Sequence, residues 1–237
     1  MKKRLSRIFS STSAAVLSLS TLLTLGFSGV AHAATFTCTW AGGGGDSNFS
    51  TAGNWTGCNG AAPDPLNDTD DLVFPTDTAT DFAPVNDLTG ATFNSVAFSG
   101  TGGSSFNITG NSFTLAGDVT DTSDKANTIA TDIVLTSTTT FTVPSGFTMT
   151  LSGTVRGAGS VVLAGAGNLT MGTVTITGAL TANAGTLTVD YGTGLSVSAL
   201  TVADGATIWF ANPSFSGTST IAYPVTVGGA GASSGAL

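Results

Sequence analysis

Short segments in which apolar and polar residues alternate follow one another along the chain from about residue 90 onward. Alternate residues of a strand point to opposite faces, so each segment has one apolar face and one face of Thr and Ser. Gly, Asn or Asp closes each segment, as expected of turns. No 3.6-residue periodicity appears in this part of the chain, which predicts an all-β fold. The apolar residues of typical segments are Phe93, Val96 and Phe98; Phe141 and Val143; Leu169 and Met171; and Ile208 and Phe210.

An internal repeat indicates which all-β architecture to expect. Residues 179–190, ALTANAGTLTVD, are followed 20 positions later by residues 199–210, ALTVADGATIWF. After the shared glycine the apolar residues shift by one position, so that Leu187 becomes equivalent to Ile208. A local bulge would absorb that extra residue.

The length of the repeat favours a solenoid. A period near 20 residues with several short strands in each period is typical of a parallel β-helix, in which each repeat is one coil. We therefore expect roughly seven coils over residues 91–227. The alternative architecture is a β-sandwich, in which the same strands would pair in antiparallel fashion.

The first 33 residues have the pattern of a secretory signal peptide. Four basic residues precede an apolar run at 14–25, and Ala31-His32-Ala33 has the form of a signal-peptidase site. The apolar run is shorter than the roughly 20 residues that span a bilayer. We therefore expect residues 1–33 to be removed and the mature chain to be secreted or displayed at the cell surface.

The charge of the chain excludes one large class of partners. All 14 acidic residues are Asp and lie beyond residue 33, where Lys125 and Arg156 are the only basic residues. The expected mature chain therefore has a net charge near −12, which is 2 basic minus 14 acidic residues. Nucleic-acid binding needs clustered Lys and Arg, so nucleic acid is excluded as a partner.

The two cysteines, Cys38 and Cys58, both follow the signal peptide. In an exported chain such a pair predicts a disulfide, and closing a loop of this size stabilises the fold by about 3 kcal/mol. A metal site is the poorer interpretation, because the only histidine, His32, lies in the signal peptide. We expect no cofactor and no metal.

The stretch at 159–172, GSVVLAGAGNLTMG, and the one that follows it at 173–189, TVTITGALTANAGTLTV, share a motif order with a known family. Residues 165–171 hold the place of a G-x-G-x-L-x-L segment, and residues 183–187 that of an N-A-G-T-L segment. In these features the chain resembles the autotransporter-associated β-strand repeat. The resemblance implies a right-handed parallel β-helix with a role in adhesion or display on bacterial surface or secreted proteins, and it implies no catalytic residues.

The region 34–90 differs in composition, because it holds Trp40, Trp55, both cysteines and eight of the aspartates. The first coil of a solenoid must be covered, since an open strand edge recruits other chains. We therefore predict an aromatic-rich, disulfide-closed cap; the alternative is a binding module with Trp40 and Trp55 on a sugar-binding face.

Residues 228–237, mostly Gly, Ala and Ser, are expected to be a tail or a linker to further repeats, and an uncapped last coil would favour end-to-end self-association.

Few residues of the mature chain can carry catalysis. The loss of His32 removes histidine-based nucleophile pairs. The main alternative function is that of a polysaccharide hydrolase or lyase with the same β-helix fold. A hydrolase needs two carboxylates that flank the scissile bond, and a lyase needs a base and a cation. Isolated aspartates in β-rich proteins usually bond to their own turns, so we assign no catalytic residue. The candidates for this alternative function are Asp118, Asp121, Asp124 and Asp132, with Lys125 or Arg156 as the cation.

Calcium and ordered water are two further possibilities. Asp68, Asp70 and Asp71 offer hard oxygen ligands, but no calcium-loop pattern surrounds them, and a solvated turn is the preferred interpretation. Thr-x-Thr pairs such as Thr186 and Thr188 would order water, as in ice-binding solenoids, if they formed a flat array. Their irregular spacing in the sequence argues against such an array.

Two function hypotheses follow. The first is a secreted or cell-surface structural or adhesin-type β-helical repeat protein without catalytic activity, whose partners are cell-surface or extracellular-matrix polymers, either glycan or protein. The second is a polysaccharide hydrolase or lyase on the same scaffold. An enzyme would bring its aspartates together in one groove, whereas a structural repeat protein would have them distributed over its turns.

Overall fold

The computed structural model describes residues 35–59, 61–63, 70–190, 194–211 and 223–228. Nearly all regular structure in these ranges is strand, apart from a 3₁₀ turn at Ala52–Asn54. None of the described residues belongs to a helix long and apolar enough to cross a membrane. The predicted signal peptide at 1–33 lies outside the described residues.

Three sheets contain the strands. The first sheet has ten strands, in the order β2 (Trp55–Thr56), β1 (Thr37–Trp40), β3 (Asp71–Pro75), β6 (Ser95–Ser99), β9 (Val119–Asp121), β12 (Thr139–Thr142), β15 (Val161–Leu163), β18 (Leu180–Ala182), β21 (Leu200–Val202) and β23 (Val225–Val227). The second sheet has seven, in the order β4 (Val85–Asn86), β7 (Asn107–Gly110), β10 (Thr128–Ile129), β13 (Thr148–Leu151), β16 (Asn168–Met171), β19 (Thr186–Asp190) and β22 (Thr207–Ala211). The third sheet has six, in the order β5 (Thr92–Phe93), β8 (Phe113–Leu115), β11 (Ile133–Leu135), β14 (Val155–Gly157), β17 (Val174–Ile176) and β20 (Leu195–Ser196).

The chain visits the three sheets in turn, so each coil contributes one strand to each sheet. Successive coils pair in parallel; Val161 lies beside Leu180, for example, and Leu180 beside Leu200. The result is a parallel β-solenoid of about seven turns. The predicted all-β parallel β-helix is therefore confirmed. The β-sandwich alternative is wrong, because the only antiparallel pair among the described strands is β1 with β2.

The internal repeat is reproduced by the strand register. Leu187 of β19 lies beside Ile208 of β22, one position later than the 20-residue offset of Leu180 and Leu200. The extra residue is taken up in the turn before β22, where the amide of Ala206 donates to the carbonyl of Ala203. Gly185, in the corresponding turn of the previous coil, has a φ of +62°, and a Cβ there would lie 2.1 Å from the carbonyl oxygen of Gly167. Only glycine fits that approach.

The core consists of inward-facing residues that stack from coil to coil. One such column contains Val119, Phe141, Leu163 and Ala182, each lying beside the next and each fully buried. The outward residues between them are mainly threonine and serine, which suit the extended backbone and meet water. The alternation seen in the sequence is therefore the alternation between core and surface.

Aromatic side chains fill the N-terminal end of the core. Trp40, Phe49, Trp55 and Phe74 contact one another with ring centroids between 4.9 and 6.3 Å apart. The predicted disulfide between Cys38 and Cys58 is confirmed; it ties β1 to the segment after β2.

The parallel ladders begin before residue 91, where the coils were expected to start. Asp71 of β3 lies beside Ser95 of β6, and Val85 of β4 lies beside Thr109 of β7, so part of the predicted cap region belongs to the first coil. The antiparallel strand β2 forms the outer edge of the first sheet at this end. At the other end, β23 is exposed along its length, and the predicted tail lies outside the described residues beyond Gly228.

Candidate functional site

Three of the four aspartates proposed for an enzyme lie at different corners of the solenoid. Asp118 precedes β9 of the first sheet, and its Oδ1 accepts a hydrogen bond from the amide of Thr140 at 2.7 Å. Asp132 precedes β11 of the third sheet, and its Oδ1 accepts from the amide of Thr154 at 2.8 Å. In both cases the carboxylate bonds the backbone of the following coil, which is a structural use of the charge.

Asp124 lies in the connection between β9 and β10. Both of its oxygens lie 3.0 Å from the amide nitrogen of Gly102 in the preceding coil, and Lys125 Nζ lies 3.4 Å from Oδ1. The hydrogen bond from Gly102 is the main reason that the pKa of Asp124 lies below its ordinary value. Lys125 is therefore paired with its own neighbour.

Asp121 is the last residue of β9 and faces the core beside Phe98. It is 1% exposed. Its Oδ1 accepts from the amide and the hydroxyl of Ser123 at 2.8 and 2.7 Å, and its Oδ2 accepts from Asn127 Nδ2 at 2.9 Å. Burial raises the pKa of Asp121, against the lowering effect of these hydrogen bonds. Asn127 Oδ1 in turn accepts from the amide of Phe106, so the network joins two coils.

Arg156, on the outer face of the third sheet, completes this group of candidates. Its Nη1 lies 3.3 Å from Asp132 Oδ2, and its Nη2 lies 3.5 Å from the hydroxyl of Ser112. Within the described part of the chain, no two of these four aspartates share a hydrogen-bond partner. Asp118, Asp124 and Asp132 thus lie in separate turns, and Asp121 lies in the core.

The residues suggested for calcium and for sugar binding have other partners. Asp68 lies outside the described residues; Asp71 Oδ1 accepts from Asn94 Nδ2 at 2.7 Å and from Ser95 Oγ at 2.6 Å. No cluster of three or more potential metal-ligating side chains occurs among the residues that the structure describes. Trp40 and Trp55 are buried, and their indole nitrogens donate to backbone carbonyls, so the interpretation of a sugar-binding face for this pair is wrong.

The outer face of the second sheet carries threonines in two regular columns, which we call the threonine face. In each column every residue lies directly beside its counterpart in the next coil. The first column consists of Thr128, Thr150, Thr170 and Thr188, and the second of Thr148, Asn168, Thr186 and Thr207. Asn107 precedes the first column and Trp209 follows it.

This register corrects the expectation that the threonine pairs are too irregular for an array. Thr150 and Thr170 are 20 positions apart in the sequence and Thr170 and Thr188 only 18, yet the three lie side by side. The connections between strands take up the difference in length. Within a strand the two columns are about 6.6 Å apart, which is the rise of two residues in a parallel strand, and successive coils are about 4.8 Å apart, which is the distance between neighbouring strands of a sheet.

The threonine face carries no charged side chain in either column. By contrast, the outward column of the third sheet includes Arg156, beside Val134 and Thr175. Trp209 is 62% exposed, whereas Val225 and Val227, the other exposed large apolar residues among the described ones, are 39% and 41% exposed. The two columns are therefore an array of uncharged hydroxyl and amide groups that ends in an exposed indole, and Asp190, at the end of β19, lies outward on the same face beside Ala211.

Comparison of the chain with models of known protein families, with curated proteins and with solved structures finds no match.

Proposed function

We propose that this chain is a secreted or cell-surface repeat protein without catalytic activity, which acts as an adhesin-type scaffold toward extracellular polymers. The observation that carries the proposal is the threonine face. It is a repetitive, hydroxyl-rich surface whose two columns carry no charge, on a framework whose backbone hydrogen bonds are satisfied from coil to coil. Such a surface suits the binding of an extended, repetitive partner.

The distribution of charge supports the same proposal. A hydrolase needs two carboxylates on either side of one bond. Here Asp121 is buried in a hydrogen-bond network, and Asp118, Asp124 and Asp132 each bond the backbone amide of a neighbouring coil. These partners favour a structural role for all four. The resemblance to the autotransporter-associated β-strand repeat points in the same direction.

Binding and turnover can be measured on the same samples. We expect the purified mature chain to be depleted from solution by insoluble cell-wall or matrix polymers and to release neither reducing sugar nor unsaturated uronate. Release of either product, abolished by substituting Asp118, Asp124 or Asp132 with Asn, would favour the polysaccharide hydrolase or lyase instead.

Localisation is tested separately: the extracellular or cell-surface fraction should contain a chain whose N-terminus is Ala34.

A further inference from the structure

We infer that the threonine face binds a linear, uncharged polysaccharide that lies along the solenoid axis, with Trp209 as a stacking platform at one end. This inference rests on the proposed binding function and names the surface and the ligand class. It is argued from the free hydroxyls, the spacing of the coils, the exposed indole and the absence of basic side chains from the two columns.

The hydroxyls of the threonine face are available to a ligand. None of its seven threonines donates or accepts a side-chain hydrogen bond with another residue in the described ranges. Threonines elsewhere are used internally: the hydroxyl of Thr131 donates to the carbonyl of Asn111 at 2.6 Å, and that of Thr122 to Phe98 at 3.3 Å. The face therefore presents donors and acceptors that the fold itself does not need.

The spacing of successive coils is close to the length of one sugar unit. Parallel coils repeat at about 4.8 Å along the axis, which is close to the length of one pyranose unit. A linear polysaccharide laid along the axis would place about one ring on each coil. In a β-1,4-linked chain such as cellulose or chitin, successive rings are rotated by half a turn. Every second ring would therefore meet the same hydroxyl pattern in the same orientation, and the contacts would add along the array.

Trp209 is the second observation that points to a ligand. Its neighbour in the same column, Thr188, is half-buried, whereas the indole is 62% exposed. Leaving so large an apolar group in water is unfavourable, and such exposure commonly marks a binding surface. The face of an indole packs against the C–H groups of a sugar ring, and its N–H can donate to a sugar hydroxyl.

The charge of the protein disfavours the binding of acidic polysaccharides to the threonine face. The two columns contain hydroxyl and amide groups, the carboxylate of Asp190 lies on the same face, and the chain as a whole is strongly acidic beyond residue 33. A uronate or sulfated chain would be repelled by the surrounding field and would find no cation on this face. A neutral chain would meet neither penalty.

The test uses three variants of the mature chain and two insoluble polymers, cellulose and chitin. Thr170→Lys places a long charged side chain in the centre of the array, and Trp209→Ala removes the platform. Thr175→Lys is the matched control, since Thr175 is an exposed outward threonine of the third sheet. Circular dichroism and thermal unfolding establish that each variant is folded.

We expect the wild-type chain to bind at least one of the two polymers. Thr170→Lys and Trp209→Ala should each weaken binding by at least about tenfold, as expected of a central contact, whereas Thr175→Lys should leave it unchanged.

Three results would overturn the inference. The first is wild-type binding that neither array variant affects, which would leave the adhesin function intact on another surface. The second is an equal loss of binding in Thr175→Lys. The third is no binding of either polymer; adsorption of the same chain to ice crystals, measured as thermal hysteresis, would then assign the array to ordered water.

Discussion

Asp132 accepts a hydrogen bond from the backbone amide of Thr154, which lies one coil further along the chain, at 2.8 Å. Asp118 makes the same contact with Thr140 at 2.7 Å. At the corners, where the chain enters the next strand, some backbone amides have no carbonyl partner in the neighbouring strand. A carboxylate in the preceding corner satisfies such an amide, which explains why aspartate, rather than glutamate, recurs in the turns of this chain.

Removal of one corner acceptor should destabilise the solenoid modestly. We expect Asp132→Ala to lower the free energy of unfolding by about 1 kcal/mol, the usual net value of one hydrogen bond. Asp132→Asn should lose less, because its amide oxygen can still accept from Thr154. Denaturant unfolding of the two variants measures the difference. An equal loss in both would mean that the charge paired with Arg156, rather than the acceptor, is what matters.

The buried Asp121 should make stability depend on pH. Its pKa is raised in the folded state, so the folded chain binds the proton more tightly than the unfolded chain. The contribution of Asp121 is therefore largest below its unfolded pKa of about 3.9 and is lost as the pH rises through the folded pKa. Other aspartates contribute with the opposite sign; the pKa of Asp46 is lowered, chiefly by the amide of Asn48.

The variant Asp121→Asn isolates this contribution. We expect the difference in unfolding midpoint, wild type minus Asp121→Asn, to fall as the pH rises from about 3 to 7, because only the wild type must bury a charge. Denaturant titrations at several pH values measure the difference. A difference that stays constant with pH would show that Asp121 does not change its protonation on unfolding.

Loss of the disulfide should weaken the N-terminal end. The bond joins residues with a sequence separation of 20. The double variant Cys38→Ala, Cys58→Ala should lower the free energy of unfolding by about 3 kcal/mol in the chain-entropy model. Thermal unfolding of this variant, compared with that of the wild type with and without reductant, measures the effect. An unchanged midpoint would show that the aromatic cluster holds this end without the bond.

The two sides of one strand should respond very differently to truncation. Phe141 of β12 is fully buried between Val119 and Leu163, so Phe141→Ala should cost about 3 to 5 kcal/mol. Thr142, the next residue, points outward, and Thr142→Ala should change stability by no more than about 0.5 kcal/mol. Chemical denaturation of the pair measures both. Similar losses at the two positions would contradict the assignment of inward and outward faces.

The strands, the core and the coil register could be predicted from the sequence because they follow from local pattern. Leu187 and Ile208 were matched by allowing one extra residue after the glycine, and they lie side by side in the second sheet. The pairing of Cys38 with Cys58 needed only an exported chain with two cysteines. In each case a short-range rule decides the outcome.

The threonine face could not be recognised from sequence spacing, since the connections between its strands differ in length. A usable signal does exist: Thr150, Thr170 and Thr188 each immediately precede an inward residue, as Trp209 precedes Phe210. Aligning coils on their buried residues, instead of counting positions, would have shown the columns. The start of the first coil was missed for a related reason, because β3 and β4 lie in a region of different composition.

The burial of Asp121 was also missed. It was grouped with three aspartates that lie in turns. Its carboxylate accepts three hydrogen bonds, from the backbone amide and the hydroxyl of Ser123 and from the side-chain amide of Asn127. An aspartate followed two residues later by serine and six residues later by asparagine is a weak signal. Recognising it requires the knowledge that the position falls on the inward side of a strand.

The aromatic cluster beside β1 and the parallel strands that follow it allow the coils to fold in order from the N-terminal end. Trp40, Trp55 and Phe74 can assemble from residues that leave the ribosome early, and they present a finished strand edge at β3. Each later coil pairs only with the coil that precedes it. The entropy lost on forming a coil is therefore that of closing a loop of one coil length, because no contacts with distant parts of the chain are needed. The solenoid is thus suited to vectorial folding, in which the order of synthesis and the order of stacking are the same.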